Sequence, residues 1–302
     1  KDAVHIEYDE HHALDQAKQV VRLAIDNFPN RKKENVAPAG VKAEDMIAGF
    51  SDEYIEYMQG GQYRGSYRPL NDAIIAGRIR GIVAIAGCNN PRICQDSIHN
   101  FLTRELIKND VLVVQTGCSA HASAKAGYMT PEMALENAGP GLREVCEAIG
   151  IPPVLHLGSC VDNSRILTIA SHIAEAGGLG DDLGGLPAVG IGPEWMSEKA
   201  IAIGTYFVAS GVPIIFGAGS PVSASKTLTD IMENKWWDTV GAGFYFEEDP
   251  GKMLELALKL IDTAREKLKI RKYEQGAFGT ERVLMDMAAR RSSFATPHGE
   301  SV

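Results

Sequence analysis

Residues 82–91 read Ile-Val-Ala-Ile-Ala-Gly-Cys-Asn-Asn-Pro, a short apolar run that ends in a glycine and a cysteine. The same features return at residues 111–121, Val-Leu-Val-Val-Gln-Thr-Gly-Cys-Ser-Ala-His, and at residues 154–163, Val-Leu-His-Leu-Gly-Ser-Cys-Val-Asp-Asn. Each run predicts a buried β-strand, each glycine permits a sharp turn, and the residues that follow are typical of helix starts. The three segments therefore predict three strand–turn–helix units with a cysteine at each turn.

A fourth apolar run at Val212–Phe216 and weaker runs at Ala188–Ile191 and Gly243–Phe246 extend this pattern, and helical stretches separate the runs. Continuous apolar strands that alternate with helices predict a parallel sheet covered on both faces, which is a doubly wound (Rossmann-like) α/β fold. Apolar spacing also predicts helices over residues 13–28 and 250–271. Residues 30–66 are expected to be mostly irregular, with helical stretches at Ala43–Ile47 and Asp52–Met58.

The charge balance narrows the classes of partner. The 302 residues contain 30 Lys and Arg against 39 Asp and Glu, a net charge of −9. Proteins that bind nucleic acid or anionic membranes need a basic surface, so no nucleic-acid partner is expected. The apolar runs are too short to span a bilayer, and the first residues lack the pattern of a signal peptide. The cytoplasm is therefore the expected location.

The cysteines point to metal chemistry. The carboxyl ends of parallel strands share one crevice, so Cys88, Cys118 and Cys160 are expected at one edge of the sheet, each near a helix amino terminus that favours the thiolate. Converging thiolates need a compensating cation, which a soft multi-metal cluster of the iron–sulfur kind supplies. A single cysteine at a strand end is more often a small buried hydrophobe, but three at one topological position favour ligands. Cys94 and Cys146 lack that context and are interpreted as core thiols.

Residues 193–200, Pro-Glu-Trp-Met-Ser-Glu-Lys-Ala, form a second candidate segment. Pro193 predicts a helix start, and the spacing then places Trp195, Lys199 and Ile203 on one helix face. Because that face is otherwise apolar, Lys199 would point toward the crevice, where a cation beside an anionic cluster could hold an oxyanion. On composition alone, a salt-bridged or solvent-reaching lysine is the commoner role.

These four segments, in this order, resemble the signature segments of the anaerobic nickel-containing carbon monoxide dehydrogenases, over roughly residues 5–270. The resemblance implies a nickel-iron-sulfur active-site cluster of the Ni-4Fe-4S type, with Cys88 and Cys118 on iron and Cys160 on nickel. It implies that Lys199 stabilises an oxygen of bound carbon dioxide or hydroxide and that Ile203 lines the pocket. The implied reaction is the reversible oxidation of CO with water to CO2, with electrons passed to a ferredoxin-like acceptor.

The resemblance also implies a longer subunit, because that family's first half supplies 4Fe-4S relay clusters and the remaining active-site ligands. None of those motifs occurs in this sequence, so we expect the 302 residues alone to be inactive. Residues 1–30 are expected to be a helix that ends a preceding middle domain. Residues 31–270 are then a Rossmann-like cluster-binding domain, and residues 271–302 a peripheral C-terminal extension. A homodimer and an acetyl-CoA synthase partner are consistent with the resemblance.

Three alternatives stay open at this point. A hybrid cluster protein that reduces hydroxylamine shares the fold, although residues 193–200 and the stretch after Cys160 favour the dehydrogenase. A non-catalytic metal-binding scaffold would bind metal without redox turnover. A dinucleotide-binding module is suggested by Gly217-Ala218-Gly219, but Pro221 and the missing third glycine weaken that motif.

Overall fold

The computed structural model describes residues 4–31 and 45–276, and the chain divides into two compact units, Lys1–Glu44 and Asp45–Val302. The first unit contains helix α1 (Ala13–Asn27) between short 3-10 turns at Glu10–His12 and Phe28–Asn30. The helix predicted over residues 13–28 is confirmed. The assignment of residues 1–30 to a preceding domain stays a prediction.

Three short helices open the second unit: α2 (Asp52–Met58), α3 (Gly61–Arg64) and α4 (Arg68–Ile75). The helix at Asp52–Met58 is confirmed, and the hydroxyl of Ser51 caps it by accepting the amide of Tyr54. Residues 45–47 are not helical, so the prediction there is wrong, and residues 43 and 44 lie outside the described residues.

Six parallel strands form one sheet: β1 (Gly81–Ile85), β2 (Val111–Thr116), β3 (Val154–Gly158), β4 (Ala188–Gly192), β5 (Ile214–Phe216) and β6 (Phe244–Phe246). Their order is β3-β2-β1-β4-β5-β6, which is the doubly wound arrangement of the predicted α/β fold. The predicted strands and fold class are confirmed. The order reverses between β1 and β4, and in such sheets the crevice for a ligand lies at that point, beyond the carboxyl ends of the strands.

Helices alternate with these strands: α5 (Ser97–Lys108), α6 (Gly117–Lys125), α7 (Pro131–Asn137), α8 (Pro140–Ile149), α9 (Asn163–Glu175), α10 (Glu198–Ala209), α11 (Lys226–Asp230), α12 (Trp236–Val240) and α13 (Pro250–Lys267). A π-helical turn, Ile231–Lys235, joins α11 to α12. Every residue of β1 and β2 is buried, as expected for strands covered on both faces. A large aliphatic core surrounds the sheet, and a smaller cluster around Phe216 and Phe244 fills the β5–β6 side.

The last described residues pack on this unit, because the Tyr273 hydroxyl donates to the Asp110 carboxylate at 2.8 Å. Residues 277–302 of the predicted peripheral extension lie outside the described residues. None of the helices in residues 4–31 and 45–276 combines the length and apolarity that a bilayer crossing requires.

Candidate metal centre

The three cysteine turns follow neighbouring strands at the carboxyl edge of the sheet. Gly87, Gly117 and Gly158 adopt φ angles of +130°, +62° and +142°, which side chains strongly disfavour. Each glycine therefore lets the chain turn sharply as its strand ends, one or two residues before the cysteine. Because β1, β2 and β3 are adjacent and parallel, these turns lie side by side on one rim.

The helix starts differ among the three turns. Cys118 is the second residue of α6, and Cys160 opens a 3-10 turn, Cys160–Asp162, that leads into α9. Helix α5 begins only at Ser97, so the prediction of a helix amino terminus beside Cys88 is wrong. The cause is Asp96, which takes φ +66° and whose carboxylate binds the side chains of Asn89 and Lys125, holding the preceding residues in turns.

The other two cysteines behave differently from each other. Cys146 is buried, which confirms its interpretation as a core thiol, and that burial raises the pKa of its thiol. Cys94 is exposed in the turn before α5, so its interpretation as a core thiol is wrong.

The segment that carries Lys199 is not helical from its first residue. Helix α10 begins at Glu198, so the helix start predicted at Pro193 is wrong, and Trp195 shares no helix face with Lys199. The Trp195 indole N–H donates to the carbonyl of Gly217 at 2.5 Å, and its ring packs on Phe216 with centroids 6.0 Å apart. These tertiary contacts hold the segment outside the helix until Glu198.

Lys199 lies against the cysteine turn that follows β3. Its Nζ donates to the Sγ of Cys160 at 3.2 Å. The pKa of Lys199 is raised, first by that hydrogen bond, then by the charge of Cys160, and then by the charges of Cys88 and Cys118. All three thiols therefore act on one ammonium group. Ile203 lies one turn further along α10, half-buried against the aliphatic core.

The three turn cysteines are the candidate ligands of a metal centre. Among the residues that the structure describes, no three His, Cys, Asp or Glu side chains lie close enough to hold a single metal ion. The three cysteine turns nevertheless lie side by side at one edge of the sheet, and Lys199 contacts Cys160 there. Thiolates are soft ligands, and a cluster of several metal atoms spans a wider gap than one ion does. The arrangement fits a multi-metal cluster and not a single-ion site.

Buried polar residues behind the turns escaped the sequence analysis. His99 is fully buried, and its Nε2 lies 2.9 Å from the carbonyl oxygen of Cys88, so this nitrogen carries the donated proton. Burial lowers the pKa of His99 and so favours the neutral ring. Asn163 donates from Nδ2 to the carbonyl of Cys160 at 2.7 Å. A polar residue on an otherwise apolar helix face was the only signal in the sequence that could have found them.

Glu194 is a further buried residue that the sequence analysis did not single out. It follows β4, is 0% exposed, and its Oε1 accepts the backbone amide of Ile98 at 3.1 Å. Burial raises the pKa of its carboxyl, although hydrogen bonds from the amides of Ile98, His99 and Asn90 oppose that rise. Glu194 therefore ties the segment that leads to Lys199 to the start of α5 and to the turn that carries Cys88.

Three comparisons identify similar proteins. The profile of the Prismane/CO dehydrogenase family matches residues 1–251. Carbon monoxide dehydrogenase 1 of Methanosarcina mazei is 49% identical over 265 residues, which are 88% of this chain and 41% of that relative. A nickel-free crystal structure of carbon monoxide dehydrogenase from Thermococcus sp. AM4 is 47% identical with a TM-score of 0.73, covering 89% of this chain and 41% of that one.

A third solved structure is an acetyl-CoA synthase/carbon monoxide dehydrogenase, described with NiZn–Fe4S4 and NiNi–Fe4S4 clusters in its alpha subunits. It is 34% identical with a TM-score of 0.72, and the match covers 90% of this chain and 43% of that one. The chain thus spans about two fifths of the length of the curated relatives it matches. The profile match over residues 1–251, together with these identities, shows that the chain belongs to the Prismane/CO dehydrogenase family.

Proposed function

We propose that this chain is the cluster-binding part of a carbon monoxide dehydrogenase, which oxidises CO with water to CO2 and releases two protons and two electrons. The observation that carries the proposal is the position of three turn cysteines at one edge of the sheet, with Lys199 in hydrogen-bond contact with Cys160. Relatives that are 34% to 49% identical carry the name carbon monoxide dehydrogenase, which supports the same reaction. No observation favours the hybrid cluster protein, the scaffold or the dinucleotide module.

In this proposal Cys88 and Cys118 bind iron atoms and Cys160 binds nickel. When bound, the nickel-iron-sulfur cluster supplies a Lewis-acidic metal and a centre that takes up electrons. The chain itself contributes thiolates in fixed positions. Cys118 sits in the first turn of α6, which fixes the position of its sulfur relative to the end of β2.

Lys199 is the proposed catalytic residue of this chain. A lysine side chain is protonated throughout the physiological range, so the ammonium is available as a hydrogen-bond donor. A charged donor aimed at an oxygen that gains negative charge stabilises the transition state more than the ground state. The bond to Cys160 fixes where that donor stands. Ile203, one turn away on α10, would exclude water from the same pocket.

The proposal extends to the rest of the assembly. Further 4Fe-4S clusters in the remainder of the subunit would carry electrons to a ferredoxin-like acceptor, and the subunit would form a homodimer in the cytoplasm. One similar protein is the subunit beta of a carbon monoxide dehydrogenase/acetyl-CoA synthase from Moorella thermoacetica, which supports an acetyl-CoA synthase as a further partner.

The test uses the natural polypeptide that carries this sequence, purified without oxygen. We expect its mass to exceed that of the 302 residues, and we expect nickel and iron by elemental analysis with CO-dependent reduction of a viologen dye. Lys199→Ala should keep both metals and lose about 100- to 1,000-fold in kcat, the usual effect of removing a charge-stabilising donor. The matched control Lys259→Ala, on the exposed side of α13, should leave kcat unchanged.

Other outcomes would contradict the proposal in distinguishable ways. Iron without nickel, together with hydroxylamine reduction, would indicate a hybrid cluster protein. Bound nickel and iron with no CO oxidation would indicate a scaffold. Nicotinamide binding that survives substitution of Cys88, Cys118 and Cys160 would indicate a dinucleotide module.

A further inference from the structure

The last two residues of β2 reach in opposite directions from the strand that leads to Cys118. Gln115 and Thr116 are both completely buried. Successive residues of a strand point to opposite faces of the sheet, so the two side chains meet different helices. Gln115 donates from Nε2 to the hydroxyl of Thr103 on α5 at 2.8 Å, and Thr116 donates to the Oδ1 of Asn163 at the start of α9.

A chain of hydrogen bonds leads from Thr116 through Asn163 to Cys160, and we call it the Thr116–Asn163 arm. Asn163 accepts the Thr116 hydroxyl on Oδ1 and donates from Nδ2 to the carbonyl of Cys160 at 2.7 Å. The two turns also approach closely, because a Cβ added at Gly117 would lie 3.1 Å from the Cβ of Cys160. Two hydrogen bonds and this close approach therefore join the turn that carries Cys118 to the turn that carries Cys160.

A second chain of hydrogen bonds leads from Gln115 through Thr103 and His99 to Cys88, and we call it the Gln115–Thr103–His99 arm. Thr103, which accepts the Gln115 amide, donates its own hydroxyl to the carbonyl of His99 at 2.8 Å. The ring of His99 then donates to the carbonyl of Cys88 at 2.9 Å. Gln115, Thr103 and His99 are all 0% exposed, so none of these bonds competes directly with bulk water.

Packing alone does not account for these polar residues. A buried polar group gains only about 1 kcal/mol net from a hydrogen bond and costs about 1–3 kcal/mol when it is left unpaired. Apolar side chains of similar shape would fill the same space without that risk. What hydrogen bonds add is direction, since each one fixes the distance and the angle between two groups.

We propose that Gln115 and Thr116 are positioning residues that set the spacing of the three cysteine turns. The Thr116–Asn163 arm holds Cys160 against Cys118, and the Gln115–Thr103–His99 arm holds Cys88 against Cys118. The retention of nickel then depends on the first arm. The dependence of nickel on the first arm rests on the proposed function, whereas the spacing of the turns does not.

The spacing is measured without any metal, in the 302-residue chain. Nitroxide labels are placed on Cys118 and Cys160 with Cys88, Cys94 and Cys146 replaced by Ser or Ala, and their separation is read from dipolar broadening. Thr116→Val removes the hydroxyl and keeps the shape, and we expect a longer and broader distance distribution. Thr116→Ser keeps the hydroxyl and should restore the distribution of the parent chain.

A second pair of label positions distinguishes the effects of the two arms. With labels on Cys88 and Cys118, Gln115→Leu should broaden the distribution and Thr116→Val should not. If Thr116→Val fails to fold, Asn163→Asp tests the same arm, because it keeps an acceptor for Thr116 and loses the donor to Cys160. The proposal is overturned if Thr116→Val and Thr116→Ser give the parent distribution, or if every variant broadens both pairs equally.

The dependence of nickel on this arm is tested in the natural polypeptide. Thr116→Val should weaken nickel retention by about 10- to 100-fold, as is usual when a residue that orients a metal ligand is lost, and Thr116→Ser should retain nickel. Altered label distances in a polypeptide that binds no nickel would contradict the proposed function and leave the positioning role intact. Unaltered distances in a polypeptide that binds nickel would contradict the positioning role alone.

Discussion

The two halves of the sheet use the same strand–turn–helix unit for different purposes. In the β3-β2-β1 half, each strand ends in a glycine and a cysteine, and small polar residues surround the turn. In the β4-β5-β6 half, large aromatic side chains occupy the corresponding positions, including Trp195 after β4 and Phe216 at the end of β5. The first half carries the cysteines that we propose as ligands, and the second fixes the segment that carries Lys199.

In the β4-β5-β6 half, here called the aromatic half, the ring of Phe216 holds the segment that carries Lys199. Phe216 packs against Trp195, Phe244 and Phe246 with centroids 6.0, 5.7 and 6.3 Å apart. Because Trp195 is held by Phe216 and by the Gly217 carbonyl, α10 starts at a defined place. Three strand spacings, roughly 14 Å in total, separate β3 from β4, yet Lys199 comes within 3.2 Å of Cys160. The start of α10 at Glu198 therefore places Lys199 within reach of the cysteine.

The largest expected effect follows from removing this ring. Phe216→Ala should lower the free energy of unfolding by about 3–5 kcal/mol, because a large buried side chain leaves a cavity. Phe216→Leu, which refills much of the space, should cost less than half as much. Urea denaturation measures both values. A loss below 1 kcal/mol for Phe216→Ala would show that the aromatic half is not held together by this ring.

A glycine in each half allows a matched comparison of smaller effects. Gly117 and Gly241 both have positive φ angles, +62° and +73°, so alanine at either position should cost about 1–2 kcal/mol in backbone strain. Only at Gly117 would the new Cβ meet another residue, the Cβ of Cys160 at 3.1 Å, whereas space around Gly241 is open. In urea denaturation, Gly117→Ala should therefore be more destabilising than Gly241→Ala. Equal losses of unfolding free energy in the two variants would mean that Cys160 does not crowd a side chain at position 117.

The smallest effect concerns Glu194, whose carboxylate joins the two halves. Burial raises its pKa above the usual value of 4.5, so the folded state binds a proton more tightly than the unfolded state. Stability should then fall as the pH rises from about 4.5 through the raised pKa, and the loss should persist above it. Glu194→Gln should remove that part of the pH slope, and exposed Glu198→Gln should not. Identical slopes for the parent chain and Glu194→Gln would contradict this assignment.

Much of this comparison was predictable from the sequence, for physical reasons. Continuous apolar runs have few alternatives to buried parallel strands, so all six strands were found. The position of the cysteines at one edge follows from the topology of such a sheet, because parallel strands end on the same side. Local sequence and a general rule of folding were sufficient for both.

What escaped the sequence depends on contacts between distant residues. Pro193 carries a typical helix-start signal, but the bond from Trp195 to Gly217 and the ring of Phe216 override it. Likewise, the side chains of Asn89 and Lys125 bind the carboxylate of Asp96. The residues before Asp96 therefore stay in turns, α5 begins only at Ser97, and Cys88 does not lie at a helix start. No local pattern indicates that Asn163 would also bond to Thr116, which lies 47 residues earlier in the chain, since that pairing exists only once the sheet has formed.

We propose above that three sulfurs and one lysine surround a single metal cluster at the carboxyl edge of the sheet. The most direct measurement is anomalous diffraction at the iron and nickel absorption edges, from crystals of the natural polypeptide grown without oxygen. We expect iron peaks next to the Sγ atoms of Cys88 and Cys118, and a nickel peak next to Cys160 with Lys199 Nζ beside it. Peaks that contact none of these sulfurs, or sulfurs that point to opposite edges of the sheet, would contradict the account.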